Sequence, residues 1–326
     1  MLADSFPRGF TTRFAPAPTG YLHLGHAANA VWVWGLAQTF GGRVLLRVED
    51  HDRGRCRPDY ETALLDDLDW LGLVPDGAST TAFRQSSLSQ RQSDNGGRYA
   101  ERLAELEARG LAYACTCSRT EIASGAPHRN RAAADEREYR YPGTCRARAL
   151  PPESTAARRV IISAGTIEQF DDLRLGAQRQ DPDLQCGDLP VRDRLGNWTY
   201  QFAVVVDDID QGVDLIIRGE DLLSSTGRQL RLARMLGRIA PPRVLHHPLL
   251  RHGDGRKLSK SAHDTGLGEL RAAGRTSAEV LGIAAHLSGL QDAPTPLSAD
   301  RLATLFDRAI AGHIPLAMRS SPPETR

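Results

Sequence analysis

The first 75 residues of the chain alternate between extended and helical patterns of hydrophobic positions. Residues 11–20 form a short extended pattern interrupted by prolines, and a glycine-flanked turn then leads into AANAVWVWGLAQTF, which predicts a helix. The sequence VLLRVEDHD predicts a buried strand with an acidic end, and YETALLDDLDWLGL has the 3.6-residue spacing of a second helix. This alternation predicts an α/β fold in which a parallel sheet binds ligands at the carboxyl ends of its strands.

The pattern along the chain predicts four regions. Residues 1–110 carry the first half of the α/β unit, and residues 111–190 lose this regularity, which indicates an inserted subdomain. Residues 191–262 resume the alternation and form the second half. Residues 263–326 predict a short helical region that ends in a disordered tail.

Two sequences in the third region predict its main elements. The continuous apolar run YQFAVVVDD predicts a buried strand. The sequence SSTGRQLRLARMLGRI predicts an arginine-rich helix whose first turn is capped by Ser224, Ser225 or Thr226.

Composition narrows the class of protein. A chain of 326 residues with 40% hydrophobic residues can bury one large core or two modest ones. A net charge of +1 argues against a protein that coats itself in nucleic acid, although a local basic face remains compatible with it. The first residues lack an apolar run of signal-peptide length, and no later stretch is long enough to cross a bilayer. We therefore expect a cytoplasmic protein with no membrane partner. A monomer is a separate expectation, which these observations do not establish.

Almost all of the basic residues are arginines. Of 41 Lys and Arg residues, only Lys257 and Lys260 are lysines, and they lie three residues apart in GRKLSKS. Because a flexible ammonium and a planar guanidinium are not interchangeable, this pair indicates positions where lysine is required. A glycine-flanked loop with two lysines and two hydroxyl groups is suited to closing over a pyrophosphate leaving group.

A second phosphate-binding candidate lies near the amino terminus, in TGYLHLGH. His23 and His26 flank Gly25 directly before the first predicted helix, where unpaired backbone N–H groups and the helix dipole favour an anion. Alone, this pattern is weak, since two histidines on a surface turn would look the same. Together with GRKLSKS, in the same order and at the two ends of an α/β pattern, it resembles the HIGH and KMSKS signatures of class I aminoacyl-tRNA synthetases.

The resemblance extends over roughly residues 11–265 and narrows to the glutamyl and glutaminyl branch. RFAPAPTGYLHLGH is similar to its RFAPSPTG opening, LLRVEDHDR to its LRIEDTD strand, and YQFAVVVDD and IIRGEDLLSST continue the match. The resemblance implies a Rossmann-type parallel sheet, activation of glutamate by ATP with Mg²⁺, and catalytic roles for His23, His26, Lys257 and Lys260. It implies ATP contacts at His23, Gly25, His26 and Lys260. It implies a glutamate site formed by Arg13, Phe14, Ala15, Pro16, Ala17, Glu49, Tyr200 and Arg218.

These implied roles suit the chemistry of the side chains. The guanidinium groups of Arg13 and Arg218 can bind substrate carboxylates in bidentate geometry, and Glu49 can take the amino group. The alternative for Glu49 is a surface acid that caps the next helix. One position departs from the branch: Ala17 replaces a serine, so a hydroxyl that would contact the substrate is absent.

A metal site is indicated in the predicted insertion. The chain has five cysteines, an odd count, and three of them crowd into Cys115, Cys117 and Cys145, which favours a metal site or free thiols over a disulfide framework. Three thiolates suit tetrahedral Zn²⁺. The spacing resembles the Cys-x-Cys…Tyr-x-x-x-Cys zinc site of the short glutamyl-queuosine synthetases, which implies Tyr141 as fourth ligand. Tyr139 and His128 are the alternatives.

The same resemblance implies the acceptor. Fewer than 70 residues follow Lys260, whereas a full-length glutamyl-tRNA synthetase continues into a large anticodon-binding region. The short relatives transfer glutamate to queuosine in the anticodon loop of aspartate tRNA. The alternatives are an enzyme that charges the 3′ end of glutamate tRNA and a regulatory protein that binds nucleotide or amino acid without turnover. Candidate RNA contacts are the arginines at positions 129, 131, 137, 140, 146 and 148 and those between 228 and 238.

Overall fold

The computed structural model describes residues 6–85, 90–125, 139–148, 150, 156–250 and 266–306. Its strands are β1 Thr11–Phe14, β2 Arg43–Leu46, β3 Ala112–Cys115, β4 Ala157–Val160, β5 Glu168–Asp172, β6 Gly176–Gln180, β7 Leu189–Arg192, β8 Leu215–Gly219 and β9 Arg243–His247. Its α-helices are α1 Leu24–Phe40, α2 Pro58–Leu71, α3 Thr80–Gln85, α4 Gly96–Ala108, α5 Arg119–Gly125, α6 Pro182–Cys186, α7 Tyr200–Asp210, α8 Thr226–Met235, α9 Leu267–Ala272 and α10 Ser277–Leu287.

Parallel strands form the centre of the fold, as the sequence predicts. β1 pairs with β2, and a second sheet has the order β6-β5-β9-β8, in which β8, β9 and β5 are parallel neighbours. The backbone of Asp214 donates to the carbonyl of Thr11, which places β1 beside β8. The carboxyl ends of β1, β8 and β9 therefore meet at one edge. The predicted α/β class is confirmed.

A separate antiparallel sheet lies in the middle of the chain, with the order β3-β4-β7. It shares a hydrophobic core with α4, α7 and α8, which includes Tyr99, Val160 and Phe202. The hairpin of β5 and β6 instead joins the sheet of β8 and β9. The first predicted elements are present: β1, α1, β2 and α2 correspond to the extended segment, the two helices and the acidic-ended strand between them.

The prediction for YQFAVVVDD is wrong, because this sequence forms helix α7 and not a strand. Seven consecutive residues, from Phe202 to Asp208, are buried, so the helix is covered on several sides. A short apolar run of this kind does not distinguish a buried strand from a buried helix. Packing against α4, α8 and β7 overrides the strand preference of three consecutive valines.

The C-terminal region begins with α9 and α10, and α10 packs on α1. Gly282 allows this segment to fold tightly, since a Cβ atom there would lie 2.1 Å from the carbonyl oxygen of Thr295. Among the helices in the described ranges, none combines the length and the apolar character that a membrane span requires.

Candidate active site

A cleft of about 680 Å³ opens at the carboxyl ends of β1, β8 and β9. Nine of the residues that the sequence assigns to glutamate or ATP line it: Arg13, Ala15, Ala17, His23, Gly25, His26, Glu49, Tyr200 and Arg218. They come from four parts of the chain, and the sheet brings them together. Lys257 and Lys260 lie outside the described residues.

Two residues assigned to the glutamate site face away from the cleft. The extended segment alternates its side chains, so Arg13, Ala15 and Ala17 face the cleft while the residues between them are buried. Phe14 packs against Trp34 in the core, with ring centroids 5.2 Å apart. Pro16 contributes its carbonyl, which accepts a hydrogen bond of 3.1 Å from the backbone of Glu49. Phe14 therefore supports the cleft by packing in the core, and Pro16 supports it through its backbone carbonyl.

The two histidines form the cap of helix α1. The Nδ1 atom of His23 accepts a hydrogen bond from the backbone of Gly25, and the Nδ1 atom of His26 accepts one from the backbone of His23. A neutral imidazole that accepts at Nδ1 carries its proton on Nε2. The ring of His23 also explains the glycine, because a Cβ at position 25 would lie 2.8 Å from its Cε1 atom. Both rings line the cleft and can offer Nε2–H donors to an anion there.

Arg218 is a buried cation whose partners are neutral. Within the described ranges it forms no ion pair: Nε donates to His246 at 3.0 Å, Nη1 to Gln229 at 2.6 Å and Nη2 to Thr226 at 2.8 Å. A hydrogen bond also joins it to Tyr200, whose pKa is raised by burial and by the charge of Glu49. Burial lowers the pKa of Arg218, but a guanidinium remains charged at neutral pH. Among the residues that the structure describes, no carboxylate therefore pairs directly with its positive charge.

Arg13 differs from Arg218, because it is already paired with a carboxylate. Its Nε atom donates to Asp208 at 3.2 Å and its Nη1 atom to the carbonyl of Ile217 at 3.2 Å. Asp208 also accepts a hydrogen bond of 2.7 Å from Arg47. Although burial disfavours its charged form, the neighbouring guanidinium groups of Arg47 and Arg13 lower the pKa of Asp208, which stays ionised.

Glu49 is buried and not a surface acid, with 7% of its area exposed. It lines the cleft just beyond the end of β2 and accepts a hydrogen bond from Arg47. The cleft is therefore lined by one carboxylate, Glu49, and by the guanidinium groups of Arg13 and Arg218. This arrangement can bind a zwitterion that carries a second carboxylate.

Several cleft residues were not assigned from the sequence. They include Thr19, Asn29, His51, Arg55, Asp221 and His247. Asn29 lies one helical turn beyond His26, and Asp221 lies three residues beyond Arg218, so proximity to a motif residue is the only local signal. The remaining signal is tertiary: His247 reaches Asn29 across the fold at 3.1 Å, and burial lowers the pKa of His247 to about 4.

A second cluster joins the cysteines. The sulfur atoms of Cys115, Cys117 and Cys145 lie within 4.8 Å of one another, and the Tyr141 hydroxyl lies 3.4 Å from the first and 3.6 Å from the second. No hydrogen bond joins Tyr139 to these sulfurs in the described part of the chain, and His128 lies outside it. These three thiols can hold a metal ion, and Tyr141 is placed to be a fourth ligand.

The surroundings of the cluster favour ionisation of one thiol, Cys145, whereas burial raises the pKa of Cys117 to about 11 and also raises the pKa of Tyr141. Burial opposes ionisation, but hydrogen bonds with Tyr141, Thr116 and Cys117 lower the pKa of the Cys145 thiol to about 6. Arg159 is buried, donates to the sulfur of Cys115 at 3.3 Å and lies over the ring of Tyr141 at 3.9 Å. Gly187 allows the chain of Tyr141 to approach, since a Cβ there would lie 2.0 Å from the Tyr141 carbonyl oxygen.

Most of the candidate RNA-binding arginines that are described have protein partners. Arg140 pairs with Asp183, Arg146 with Asp188 and Arg234 with Glu168. Arg228 is 2% exposed, so the expectation that it contacts RNA is not met. Arg148 is exposed, and among the described residues its side chain donates one long hydrogen bond, of 4.0 Å to the sulfur of Cys145.

Comparison with known proteins agrees with this site. Residues 10–282 match the family described as tRNA synthetases class I (E and Q), catalytic domain. The chain is 40% identical to the glutamyl-Q tRNA(Asp) synthetase of Symbiobacterium thermophilum, over 91% of this chain and 92% of that protein. It is 38% identical to the enzyme of the same name from Rhodobacter capsulatus, over 82% of this chain and 97% of that protein.

A solved structure has the same fold. The glutamate tRNA ligase of Elizabethkingia meningosepticum, in complex with its amino acid, matches with a TM-score of 0.73 and 24% identity over 91% of this chain. The match spans 64% of the length of that ligase.

Proposed function

Because this chain belongs to the class I tRNA synthetases of the glutamate and glutamine type, we propose that it activates glutamate with ATP and transfers it to queuosine in aspartate tRNA. It is a ligase of the aminoacyl-tRNA synthetase type. The observation that carries the choice of glutamate is Arg218, a buried cation in the cleft whose hydrogen-bond partners in the described part of the chain are His246, Gln229, Thr226 and Tyr200, all neutral. The high identity to glutamyl-Q tRNA(Asp) synthetases over nearly the whole of both chains supports the acceptor.

Glutamate binds in the cleft through charge complementarity. Arg218 receives the side-chain carboxylate, with Arg13 beside it, and Glu49 receives the ammonium group. Tyr200 lines the same pocket. Where the branch has a serine hydroxyl, Ala17 offers none, so a backbone group or a water molecule makes that contact. A neutral amide in place of the carboxylate would leave Arg218 buried without an anion, so glutamine is disfavoured.

Activation is a phosphoryl-centred displacement. An oxygen of the glutamate α-carboxylate attacks the α-phosphorus of ATP, the bond from this phosphorus to the oxygen that bridges the α- and β-phosphates breaks, and pyrophosphate leaves. Mg²⁺ bound with ATP would offset the negative charge of the phosphates. The Nε2–H groups of His23 and His26, at the amino end of α1, stabilise the charge that develops on the phosphate oxygens. Lys257 and Lys260 act on the leaving pyrophosphate. Positioning and electrostatics supply the catalysis, so no protein nucleophile is needed.

The second step transfers the glutamyl group. A hydroxyl of the queuosine diol attacks the glutamyl carbonyl, and AMP leaves. A compact monomer can reach the anticodon loop with its active site, whereas an enzyme that reads the anticodon and charges the 3′ end must span the whole tRNA. Among the described candidates, we favour Arg148 for contact with RNA phosphates because its side chain is exposed and its hydrogen bond to a described residue is long. The predicted insertion over residues 111–190 would carry this contact.

Zinc fits the cysteine cluster. The donor set of three thiols and one phenol would hold Zn²⁺ through Cys115, Cys117, Tyr141 and Cys145. A bound ion would join the end of β3 to the Tyr141 turn and stabilise the fold of the insertion. Arg159 would offset the negative charge of the ligands.

A transfer assay with radiolabelled glutamate tests the acceptor. Aspartate tRNA with queuosine, the same tRNA without it, and glutamate tRNA are incubated with ATP, and the labelled products are then treated to remove the 3′ adenosine. Label should appear only on the first RNA and should remain after removal. Label that leaves with the 3′ adenosine, or that appears on glutamate tRNA, identifies a synthetase that charges the 3′ end. Absence of both ATP–pyrophosphate exchange and transfer identifies a regulatory protein.

A further inference from the structure

Arg218 and His246 face each other across two neighbouring parallel strands. They are paired positions of β8 and β9, and the Arg218 Nε–H group donates to His246 Nε2 at 3.0 Å. The Thr226 hydroxyl accepts from Arg218 Nη2 and lies 3.1 Å from the same ring nitrogen, so its own hydrogen can also be directed there. Since a guanidinium can only donate, His246 Nε2 must be an acceptor.

The other nitrogen of His246 contacts Asp172, at the end of β5. Nδ1 lies 2.6 Å from Asp172 Oδ2, which also accepts from the backbone N–H of His246. Oδ1 accepts from the backbone N–H groups of Arg174 and Leu175. Three backbone N–H groups thus donate to this carboxylate, and both side chains are fully shielded from water. Because a carboxylate can only accept hydrogen bonds, Nδ1 carries the proton.

The doubly protonated ring is excluded by the same contacts. A proton on Nε2 would oppose the Arg218 Nε–H group at 3.0 Å and would place two cations side by side in the core. Burial lowers the pKa of His246, although the hydrogen bond with Asp172 acts in the opposite direction. His246 is therefore neutral, with its proton on Nδ1 and a lone pair on Nε2.

We propose that Asp172 and His246 are positioning residues that orient Arg218 for the glutamate side-chain carboxylate. A carboxylate paired directly with Arg218 would compete with the substrate for its charge. The neutral ring of His246 instead orients the guanidinium group of Arg218 and lies between it and the Asp172 carboxylate. This role rests on the proposed function, in which Arg218 receives the substrate carboxylate.

The isosteric variant Asp172→Asn tests the role of the tautomer. If the amide oxygen accepts from Arg174 and Leu175, the amide nitrogen donates to His246 Nδ1, and the ring proton moves to Nε2, where it opposes Arg218. A reversed tautomer of this kind can impair a site whose geometry is otherwise intact. In ATP–pyrophosphate exchange, we expect the KM for glutamate to rise about 10- to 100-fold. The KM for ATP should stay within about twofold.

A second variant keeps the acceptor and removes the tautomer. In His246→Gln the amide oxygen can still accept from Arg218, so we expect a smaller rise in the KM for glutamate than in Asp172→Asn. In the double variant, Asp172→Asn should add little, because no ring remains to change its tautomer. A purely structural role for Asp172 would give independent, additive effects. Additive effects, or equal changes in the KM for glutamate and for ATP, would overturn the proposal.

Matched controls separate folding from positioning. Asp67→Asn makes the same change at a buried carboxyl group on α2, outside the cleft, and should leave the KM for glutamate unchanged. Urea unfolding of each variant shows whether it is folded. The ¹⁵N resonances of the His246 ring, assigned by their loss in His246→Gln, should show protonated Nδ1 in the wild type and protonated Nε2 in Asp172→Asn.

The ring resonances also distinguish the two ways of failing. A wild-type protein that activates no glutamate overturns the proposed function, and the positioning role with it. A wild-type protein that activates glutamate but has Nε2 protonated, or an Asp172→Asn variant with a normal KM for glutamate, overturns the positioning role alone.

Discussion

Arg47 donates a hydrogen bond of 3.2 Å to the carboxylate of Glu49, and the guanidinium group is completely buried. Burial disfavours the charged form of Arg47, but the carboxylates of Asp208, Glu49 and Asp207 more than offset this and raise its pKa. One buried cation thus holds Glu49, which lines the cleft, and Asp208, which also holds Arg13. Arg47 therefore helps to position both Glu49 and, through Asp208, Arg13.

We therefore predict that Arg47→Met destabilises the protein by about 3–5 kcal/mol, because it leaves buried carboxylates without their cation. The free energy of unfolding in urea measures this. The matched control is Arg84→Met, which removes a partly exposed arginine that bridges Asp66 and Asp69 and should cost less than about 1 kcal/mol. Equal losses in the two variants would contradict the central role of Arg47.

Removing the Arg218 guanidinium should abolish recognition of glutamate. We expect Arg218→Ala to lower kcat/KM for glutamate in ATP–pyrophosphate exchange by about 10²-fold or more, since a buried charge pair is lost. The wild type should activate glutamine poorly. Arg53→Ala, at a largely exposed arginine paired with Asp50, serves as the control and should have little effect. Equal activation of glutamine and glutamate by the wild type would show that the pocket has been misassigned.

Lys260 tests the loop that the sequence singles out. Lys260→Ala should reduce ATP–pyrophosphate exchange by about 10²–10³-fold without unfolding the protein, because it removes one electrostatic contact to transition-state charge. Lys260→Arg should remain impaired, since a planar guanidinium does not replace a compact ammonium. Near-normal exchange in either variant would remove Lys260 from the mechanism.

The cysteine cluster should bind one zinc ion per chain when the protein is purified without chelator. Cys117→Ser should lower both the zinc content and the unfolding temperature, because binding of the metal contributes to folding. Cys56→Ser, at a cysteine outside the cluster, should change neither. Metal-free protein with full stability and full activity would show that the cluster is a set of free thiols.

Asp67 should make stability depend on pH. Burial raises the pKa of this carboxyl group on α2 from 3.8 to about 6 in the folded protein. Because the folded state binds the proton more tightly, the contribution of Asp67 is fully present below about pH 4 and is lost as the pH rises through 6. Asp67→Asn should match the wild type near pH 4 and exceed its free energy of unfolding by about 1–3 kcal/mol at pH 7.5.

Urea unfolding across this pH range measures the difference. Asp66→Asn, at the exposed neighbour that pairs with Arg84, should show no such gain at high pH. A constant difference between Asp67→Asn and the wild type at every pH would mean that Asp67 does not titrate abnormally.

Local patterns in the sequence were sufficient for the first half of the sheet and for the motif residues. The extended segment before α1 and the acidic strand after it are encoded within a few residues, whereas the roles of Arg13 and Glu49 came from the family resemblance. The family resemblance supplied Tyr200 and Arg218, and the comparisons confirm the family. The same local reasoning was wrong for YQFAVVVDD, whose helical state is determined by what packs around it.

The sequence by itself therefore determined the fold class, the family and nine of the residues that line the cleft. Only the tertiary structure decided the hydrogen-bond partners and charge states of those residues. Arg13 donates to Asp208, which is 195 positions away in the sequence. Arg218 donates to His246 of β9, which in turn contacts Asp172 of β5. The physical reason is that periodicity and turn chemistry act between near neighbours in the chain. Ionisation, tautomer and side-chain orientation depend on burial and hydrogen-bond partners, which distant segments supply only when they pack together.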